Sequence, residues 1–460
     1  MVPDTLSNSA PTLPPAKAQR RHPPGPKGLP LVGSLPQLGR DVLAFFEECS
    51  TYGDVAAFRL GAWNCVLLNH PDLAEYVLVK NHRNFVKHRF FWRHVTAIFG
   101  KGLLTSEGEF WQRQRRLAAP AFSPSRLSRY GEIMVQYADN MVRRWEPGKA
   151  IDVHREVMDL TLRIAAKTLF DADTPEHVAE IHDGFEDILL EISARFRRPF
   201  RIPDVIPTPG NLRYRRGLAK IDNLVARIIE DRQRSPGDRG DLLSTLMAAR
   251  DESGLPMSHK QVRDEAVTLL LAGHETTALT LSWTWHLLGK SPEADRRLVQ
   301  EVEEVLKGRL PTPDDLPNLS WTEQVVNEAL RLFPPAYAIG REAVTDCEVG
   351  GYAITAGTTV FITPWVTHRD PRWFDDPLAF KPERWSDDLA RRLPRFAFLP
   401  FGGGPRICIG NRFALMEAVL ILATVAQRYR LETRDRTGVE PFASITLRPK
   451  EGIWAEPVPR

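Results

Sequence analysis

The chain has 460 residues, of which 43% are hydrophobic and 26% are charged, as is usual for a folded globular protein. Its formal net charge of +3 is too small to indicate a nucleic-acid-binding surface, and no apolar run reaches the roughly eighteen residues that predict a transmembrane helix. The four cysteines, at positions 49, 65, 347 and 408, are widely spaced and form no Cys-x-x-Cys pair, which favours a reducing compartment.

The N-terminal segment predicts an unstructured tail in front of one folded unit. Residues 1–22 are polar and rich in proline, alanine and serine, and they lack the apolar core of a signal peptide. We therefore expect a disordered tail at 1–22, a single domain at 23–460 and a cytoplasmic protein. No internal repeat and no flavin or iron–sulfur motif indicates a second domain or a fused reductase.

The first part of the folded unit is expected to mix helices with a hairpin. Residues 41–52 and 71–80 have helical patterns, and 55–60 with 63–68 predict two antiparallel strands. Residues 84–102 carry aromatic and charged side chains without a clear period. They are either an ordinary surface loop or a functional one, since long loops in compact chains often carry function.

A basic helix is expected next. The pattern Ser106-x-x-Glu109 predicts a capping box that opens a helix through Leu117. Trp111 and Arg115 are four residues apart and so share one face of that helix. A solvated basic helix would explain the charges equally well.

Amphipathic spacing predicts four further helices, at 123–145, 152–170, 175–197 and 214–234. The connection at 198–209 is rich in proline with apolar residues interspersed. It is either a rigid loop or a lid over a substrate entrance that contacts a membrane surface.

Residues 258–289 predict one long helix, capped by Ser258 and Gln261 and roughly 48 Å long. Its middle contains Gly273, Thr276 and Thr277, which are poor choices for a helix interior. Threonine hydroxyls can bind helix carbonyls and open the helix locally. The alternative is a buried, threonine-rich helix without a chemical role.

The next segments predict two helices, at 292–307 and 321–333, and short strands at 348–354 and 358–365. Glu328 and Arg331 share one helix face, and Arg384 belongs to a later Pro-Glu-Arg-Trp sequence. We expect residues 442–447 to form a final β-turn.

The most specific stretch is Phe401–Gly410, which has the pattern Phe-x-x-Gly-x-Arg-x-Cys-x-Gly. Its glycines allow a tight, close-approaching backbone, and Cys408 precedes a predicted apolar helix from residue 411. A helix N-terminus favours a thiolate, and a thiolate in an apolar pocket is a good ligand for haem iron. The alternative is a buried structural cysteine beside a phosphate-binding turn.

These motifs together resemble the cytochrome P-450 superfamily of haem-thiolate monooxygenases. The resemblance covers residues 23–460 and implies a mainly α, single-domain fold with a small β-rich side. It also implies haem b (iron protoporphyrin IX) as cofactor, with Cys408 as the iron ligand and Phe401 shielding its sulfur. Residues implied to hold the haem propionates are Trp111, Arg115, Arg341 and Arg406.

The resemblance further implies that Glu275 and Thr276 deliver protons during insertion of one oxygen atom from O2. The expected substrate is a lipophilic small molecule, such as a terpenoid, fatty acid, steroid or polyketide. Residues expected to face it are Leu271, Ala272, Ala338, Ile339 and Ile445.

Electrons are expected from a separate ferredoxin or flavodoxin with its reductase, since the chain shows no motif for a second redox cofactor. The exposed faces of Arg113 and Arg116, together with Arg412, are the predicted docking patch for an acidic partner. Two alternatives stay open: a haem-thiolate peroxygenase or isomerase, and a haem-binding sensor without enzymatic activity.

Overall fold

The structure is a computed structural model that describes residues 22–88, 92, 96, 99–172, 179–184, 187–188, 191, 203, 205–235, 237–434 and 438–460. Residues 1–21 of the predicted tail, most of the predicted helix at 175–197 and part of the 198–209 connection lie outside these residues.

Helices dominate the described chain, as predicted. In chain order they are α1 (Leu35–Arg40), α2 (Val42–Ser50), α3 (Pro71–Glu75), α4 (Gly108–Ala118), α5 (Pro124–Val142), α6 (Val153–Phe170), α7 (Pro209–Arg234), α8 (Leu242–Ala248), α9 (His259–Gly289), α10 (Pro292–Leu306), α11 (Ser320–Leu332), α12 (Pro364–Thr367), α13 (Leu389–Arg392) and α14 (Asn411–Ala426). A π-helical turn at Tyr76–Lys80 continues α3.

The strands form small sheets at the side of the helices. They are β1 (Val55–Leu60), β2 (Trp63–Leu68), β3 (Phe85–Val86), β4 (Ile151–Asp152), β5 (Ile339–Ala343), β6 (Cys347–Val349), β7 (Tyr352–Ile354), β8 (Thr359–Ile362), β9 (Tyr429–Thr433), β10 (Pro441–Ala443), β11 (Leu447–Pro449) and β12 (Trp454–Pro459). One sheet has the order β1-β2-β8-β5-β3, another β4-β12-β9, and β6-β7 and β10-β11 are hairpins. β2 and β8 run parallel, whereas the remaining neighbours are antiparallel.

Helix α9 is the central element, and it begins at the predicted cap. The Ser258 hydroxyl accepts from the Gln261 N–H at 3.3 Å, while the Gln261 side chain accepts from the Ser258 N–H at 2.7 Å. The helix is 31 residues long and buried on nearly every face. A helix that is apolar all round belongs inside a core, so the rest of the chain packs around it.

Two apolar cores divide α9 between them. The residues of its first half, up to Leu271, pack with α4, α6, α7 and α8. Its second half, from Ala278, packs with α5, α6, α10, α11 and α14, and there the Trp283 ring stacks on Phe333 at 4.1 Å. The stretch between Leu271 and Ala278 contributes to neither core, which leaves room for a site at mid-helix.

The predicted capping box at Ser106 is wrong. Helix α4 begins at Gly108, which has a φ of +62°, and its N-cap position is Glu107 without a side-chain cap. The left-handed glycine separates Ser106 from the helix, and the buried Ser106 hydroxyl has no hydrogen-bond partner among the described residues. Glu107 instead accepts from the Lys87 N–H at 3.1 Å and pairs with Arg406.

The predicted strand at 348–354 is also different in the structure. It is a hairpin of β6 and β7, because Gly350 and Gly351 adopt φ values of +60° and +80° and reverse the chain.

Glu328 lies in a buried ionic network with Arg331 of the same helix face and Arg384 of the Pro-Glu-Arg-Trp sequence. Arg331 forms a bidentate pair with Glu328, with N–O distances of 2.8 and 2.9 Å, and both side chains are fully buried. Arg384 Nε donates to Glu328 at 2.9 Å, and the Trp385 indole donates to the other oxygen at 2.9 Å. The carboxylate is thus fully hydrogen-bonded, which offsets the cost of its burial.

We predict that Glu328→Ala destabilises the protein by about 3–5 kcal/mol, because Arg331 would be left buried and unpaired. Thermal unfolding of the purified variant measures this loss. The control is Glu293→Ala, which removes an exposed pair with Arg296 and costs only a few tenths of a kcal/mol. Equal melting temperatures for the two variants would contradict the role of the network.

Candidate active site

The segment Phe401–Gly410, here named the thiolate loop, is held by its own backbone. The Cys408 N–H donates to the Phe401 carbonyl at 3.0 Å, and Gly404 has a φ of +67°. A Cβ atom on Gly404 would lie 1.9 Å from the Leu78 carbonyl oxygen. Only glycine fits there, so the loop is pressed against the π-helical turn that follows α3.

Cys408 lies three residues before α14, and its thiol is accessible. Burial nevertheless raises the pKa of this thiol, and the Gly410 backbone N–H and the Arg115 charge only partly offset the effect. Cys408 is exposed to solvent, yet its thiol is desolvated by the surrounding protein, so it lies in a recess. The Gly410 N–H and the Arg115 charge act in the direction expected at the start of a helix, but burial outweighs them in the absence of a bound cation.

An accessible notch interrupts the burial of α9. Ala272 is exposed and Gly273 and Thr276 are half-buried, between residues that are buried on either side. A Cβ atom on Gly273 would meet no atom within 4 Å, so open space borders the helix here. The Thr276 hydroxyl donates to the Ala272 carbonyl at 2.8 Å, as the sequence predicts, but α9 stays continuous through this stretch and does not open locally.

Apolar side chains from several segments contribute to one core cluster. Ile409 of the thiolate loop, Ile445 and Phe99 all pack against the cluster that contains Leu271, the residue before the notch. The thiolate loop, the long helix and the turn at 445 therefore share one apolar cluster. Of the other residues expected to face substrate, Ala338 and Ile339 are half-buried at the start of β5.

A group of four cationic side chains lies between α4, β3, β5 and the thiolate loop. This cation group consists of Lys87, Arg115, Arg341 and Arg406. Glu107 is the acid that contacts it in the described part of the chain. Arg406 also donates to the Ser106 carbonyl at 2.8 Å and lies 4.3 Å from the centre of the Trp111 ring.

The cation group carries more positive charge than its surroundings neutralise. Burial, together with the nearby Arg406 charge, lowers the pKa of Arg341 to about 10. Burial also places the pKa of Lys87 well below its ordinary value, again with a contribution from Arg406. Clustered, desolvated cations of this kind suit an anionic ligand with more than one carboxylate.

The predicted haem residues therefore fit that cofactor. The structure brings Trp111, Arg115, Arg341 and Arg406 together, and an accessible thiol and open space lie nearby. Phe401 is half-buried, packed against the core next to α14. Lys87 was missed by the sequence analysis, because nothing in its local pattern separates it from the other basic residues of 84–102.

Glu275 is buried, and its carboxylate contacts residues near the C-terminus. The Thr446 hydroxyl donates to Glu275 Oε1 at 2.6 Å, and Arg448 Nε donates to the same oxygen at 2.7 Å. Burial acts to raise the pKa of Glu275, but the Arg448 charge and the Thr446 hydroxyl outweigh it, so the pKa lies below its ordinary value. The two C-terminal partners were not identified from the sequence.

The predicted docking patch needs a correction at Arg113. This side chain is not free, because Arg113 Nε pairs with Asp251 at 2.7 Å and its Nη2 donates to the Leu255 and Pro256 carbonyls. Arg116 is exposed but lies 3.4 Å from Glu252. Arg412, in the first turn of α14, is exposed.

None of the described helices combines the length and the apolar character needed to cross a membrane. The lid predicted at 198–209 has exposed apolar residues in its described part, Val205 and Ile206. Its contact with a membrane stays a prediction.

Comparison with known proteins identifies the family. The family described as Cytochrome P450 matches residues 23–455. Cyclooctatin synthase of Streptomyces melanosporofaciens is 39% identical over 436 residues, which are 94% of this chain and 95% of that protein. Pentalenene oxygenase of Streptomyces avermitilis is 36% identical over 423 residues, which are 92% and 94% of the two chains.

A solved structure leads to the same family. The retinoic acid-bound cyanobacterial CYP120A1 superposes with a TM-score of 0.86 at 26% identity, covering 96% of this chain and all of that one. Family match, relatives and fold agree with the thiolate loop and the α9 notch. The chain belongs to the cytochrome P450 family, and it is a haem-iron monooxygenase with the mainly helical fold of that family.

Proposed function

We propose that this monooxygenase hydroxylates a cyclic terpenoid with haem b as cofactor, using electrons from a separate ferredoxin or flavodoxin and its reductase. The observation that carries the proposal is the notch of small and hydroxylic residues on α9, next to an apolar cluster against which Ile409 of the thiolate loop also packs. Two relatives are named for oxygenating pentalenene and cyclooctat-9-en-7-ol, which are terpenoids. An apolar pocket with few polar groups suits such a substrate.

The residues would divide the binding task as follows. Cys408 would ligate the iron, and the cation group with Trp111 would hold the two propionates. Bound haem supplies the iron centre at which O2 is activated. Half-buried Phe401 would keep water from the Cys408 sulfur, because it belongs to the same loop and its ring packs against the apolar core.

Proton supply would be the task of α9. The Thr276 hydroxyl lines the notch, where it can hold a water molecule or pass a proton into the open space. Glu275 precedes it and is the nearest acid on the same helix. The apolar cores on both sides limit water access, so protons would arrive through these two side chains and not through bulk solvent. A peroxygenase would not depend on this supply, which separates the two functions by experiment.

We predict that Cys408→Ser abolishes the red-shifted absorption band of the reduced, carbon-monoxide-bound protein, since an alcohol is a poor iron ligand. The optical spectrum of the purified protein measures this. Cys347→Ser is the matched control and should keep the band, because Cys347 lies in β6, away from the thiolate loop. Retention of the band in Cys408→Ser would assign the ligand to another residue.

We predict that Thr276→Ala still binds substrate but releases most of its reducing equivalents as hydrogen peroxide, since proton delivery fails. The measurement is the ratio of product to peroxide per NADH consumed. Thr284→Ala serves as control, because this buried hydroxyl donates to the Thr280 carbonyl at 2.7 Å and lies two turns away. The same ratio in both variants would remove Thr276 from the mechanism and favour a peroxygenase.

We predict that Arg412→Glu slows reduction by an acidic ferredoxin, most strongly at low salt, because exposed charges mainly raise the association rate. Stopped-flow reduction at two salt concentrations measures the effect. Arg430→Glu is the control, since exposed Arg430 follows the opposite end of α14. Equal rates for the two variants would move the docking face elsewhere.

A further inference from the structure

Residues 100–105, here named the latch segment, lie with their backbone directly against the first half of α9. Gly100 has a φ of +64°, and a Cβ atom there would lie 2.1 Å from the Asp264 carboxylate. A Cβ atom on Gly102 would lie 2.2 Å from the Thr268 hydroxyl and 2.6 Å from the Asp264 carbonyl oxygen. Two glycines therefore let the segment approach the helix more closely than any side chain would allow.

Two neighbouring acids of α9 hold the backbone of this segment. The Lys101 N–H donates to Asp264 Oδ2 at 2.9 Å. The Leu103 N–H donates to Glu265 Oε2, also at 2.9 Å. Hydrogen bonds from backbone N–H groups to carboxylates are stronger than those between neutral groups, so these two bonds fasten the latch segment to the helix.

The latch segment continues from Phe99, whose carbonyl accepts from the Thr268 hydroxyl at 3.5 Å. The Phe99 side chain packs against the apolar cluster that contains Leu271, against which Ile409 and Ile445 also pack. This is the cluster next to the notch, where the proposed function requires the substrate to bind. Contacts that hold the latch segment on α9 therefore also fix the place at which Phe99 meets the cluster.

The two acids differ in what compensates for their burial. Asp264 also pairs with Arg263 at 2.9 Å and with Lys260 at 3.2 Å. Glu265 is fully buried, and its Oε1 has no hydrogen-bond partner in the described part of the chain. Burial raises the pKa of Glu265 to about 7, an effect that the Leu103 N–H opposes and the Asp264 charge reinforces. Glu265 is therefore the acid of this pair that can carry a proton near neutral pH, on Oε1.

Ionisable side chains on the elements around this half of α9 are paired with one another. The pairs are Arg113 of α4 with Asp251, Lys167 of α6 with Asp171, Asp222 of α7 with Arg263, and Arg232 of α7 with Asp241. Helix α8 carries no ionisable residue, and Lys101 of the latch segment is exposed. The ionisation of Glu265 therefore depends chiefly on whether the latch segment keeps it buried.

We propose that Asp264 and Glu265 latch residues 100–105 onto α9, and that the latch holds Phe99 in the apolar cluster most firmly while Glu265 is protonated. When the segment is released, the Glu265 carboxylate meets water and its pKa returns toward the ordinary value of 4.5. The latched state thus binds the proton more tightly. Its added stability is fully present below about pH 4.5 and is lost as the pH rises through about 7.

The test is amide hydrogen exchange at Lys101 and Leu103 in the substrate-free holoenzyme, resolved to single residues by mass spectrometry. Exchange is expressed as protection relative to an unstructured peptide, which removes the intrinsic pH dependence of the reaction. We expect the protection of both amides to fall together by roughly thirtyfold between about pH 5.5 and pH 8, as the two pKa values of Glu265 require. A fall at Leu103 alone would mean that one bond frays and would count against a latch.

Three variants separate the ionisation of Glu265 from the fit of the segment. Glu265→Gln keeps a carbonyl oxygen for the Leu103 N–H but does not ionise, so protection should stay high at both pH values. Glu265→Leu removes the acceptor and should give low protection at both. Gly102→Ala places a Cβ against Thr268 and should lower the protection of both amides while keeping its pH dependence, because both acids remain.

A different buried acid provides the control. Burial raises the pKa of Glu417 to about 8, but Glu417 lies on α14 and its side chain bonds to Thr277. Glu417→Gln should therefore keep the pH dependence of wild type at both amides of the latch segment. The proposal is overturned if wild-type protection is equal at the two pH values, or if Glu265→Gln retains the dependence. Because exchange needs no substrate turnover, these outcomes do not depend on whether the protein hydroxylates a terpenoid.

Discussion

The structure depends on one constraint on α9. Both halves of this helix must be buried in apolar core, and the notch in its middle must stay accessible. Two apolar cores meet this requirement by each taking one half of the helix, so that neither covers Ala272, Gly273 or Thr276. A helix interrupted by a proline kink would lose several kcal/mol at the same place. Here the notch lies at Gly273, which has no Cβ, and the neighbouring threonine hydroxyls bind carbonyls of their own helix, so α9 remains continuous.

The buried network of Glu328 extends toward the thiolate loop. Arg331 donates to the His368 carbonyl at 2.8 Å, and the His368 ring accepts from the Leu399 N–H at 2.9 Å, two residues before Phe401. Burial lowers the pKa of His368 to about 3, so this ring stays neutral and keeps its acceptor nitrogen across the physiological range. A chain of three contacts therefore ties the loop that carries Cys408 to the fully buried Glu328–Arg331 pair.

Local sequence patterns predicted those features that depend on residues close together in the chain. The cap of α9 at Ser258, the pairing of Glu328 with Arg331, and the loop before α14 all depend on residues within a few positions of one another. The hairpin of β1 and β2 was predicted with the same bounds that the structure has. The capping box at Ser106 failed because one left-handed glycine redirected the chain, and a sequence pattern does not report φ.

Contacts between distant segments could not be predicted in the same way. Arg448 is 173 residues from Glu275, and Arg113 is 138 residues from Asp251. Each basic residue was one of many in its sequence, and only the packing of whole elements selects its acid. The motif of α9 therefore indicated that Glu275 matters, but the partner that controls its charge became visible only in three dimensions. For the same reason, the sequence did not indicate that Lys87 belongs to the cation group.

The composition of the cation group has a consequence for the order of folding. Its members come from four separate stretches, around residues 87, 115, 341 and 406, so the chain must close long loops before they meet. Loop closure costs entropy that is recovered only when the contacts form. A ligand that needs all four stretches consequently binds a chain that is already nearly native. Haem held by this group would therefore bind after these loops have closed. By mass action, the haem concentration would then determine the fraction of newly made chains in the folded, haem-bound form.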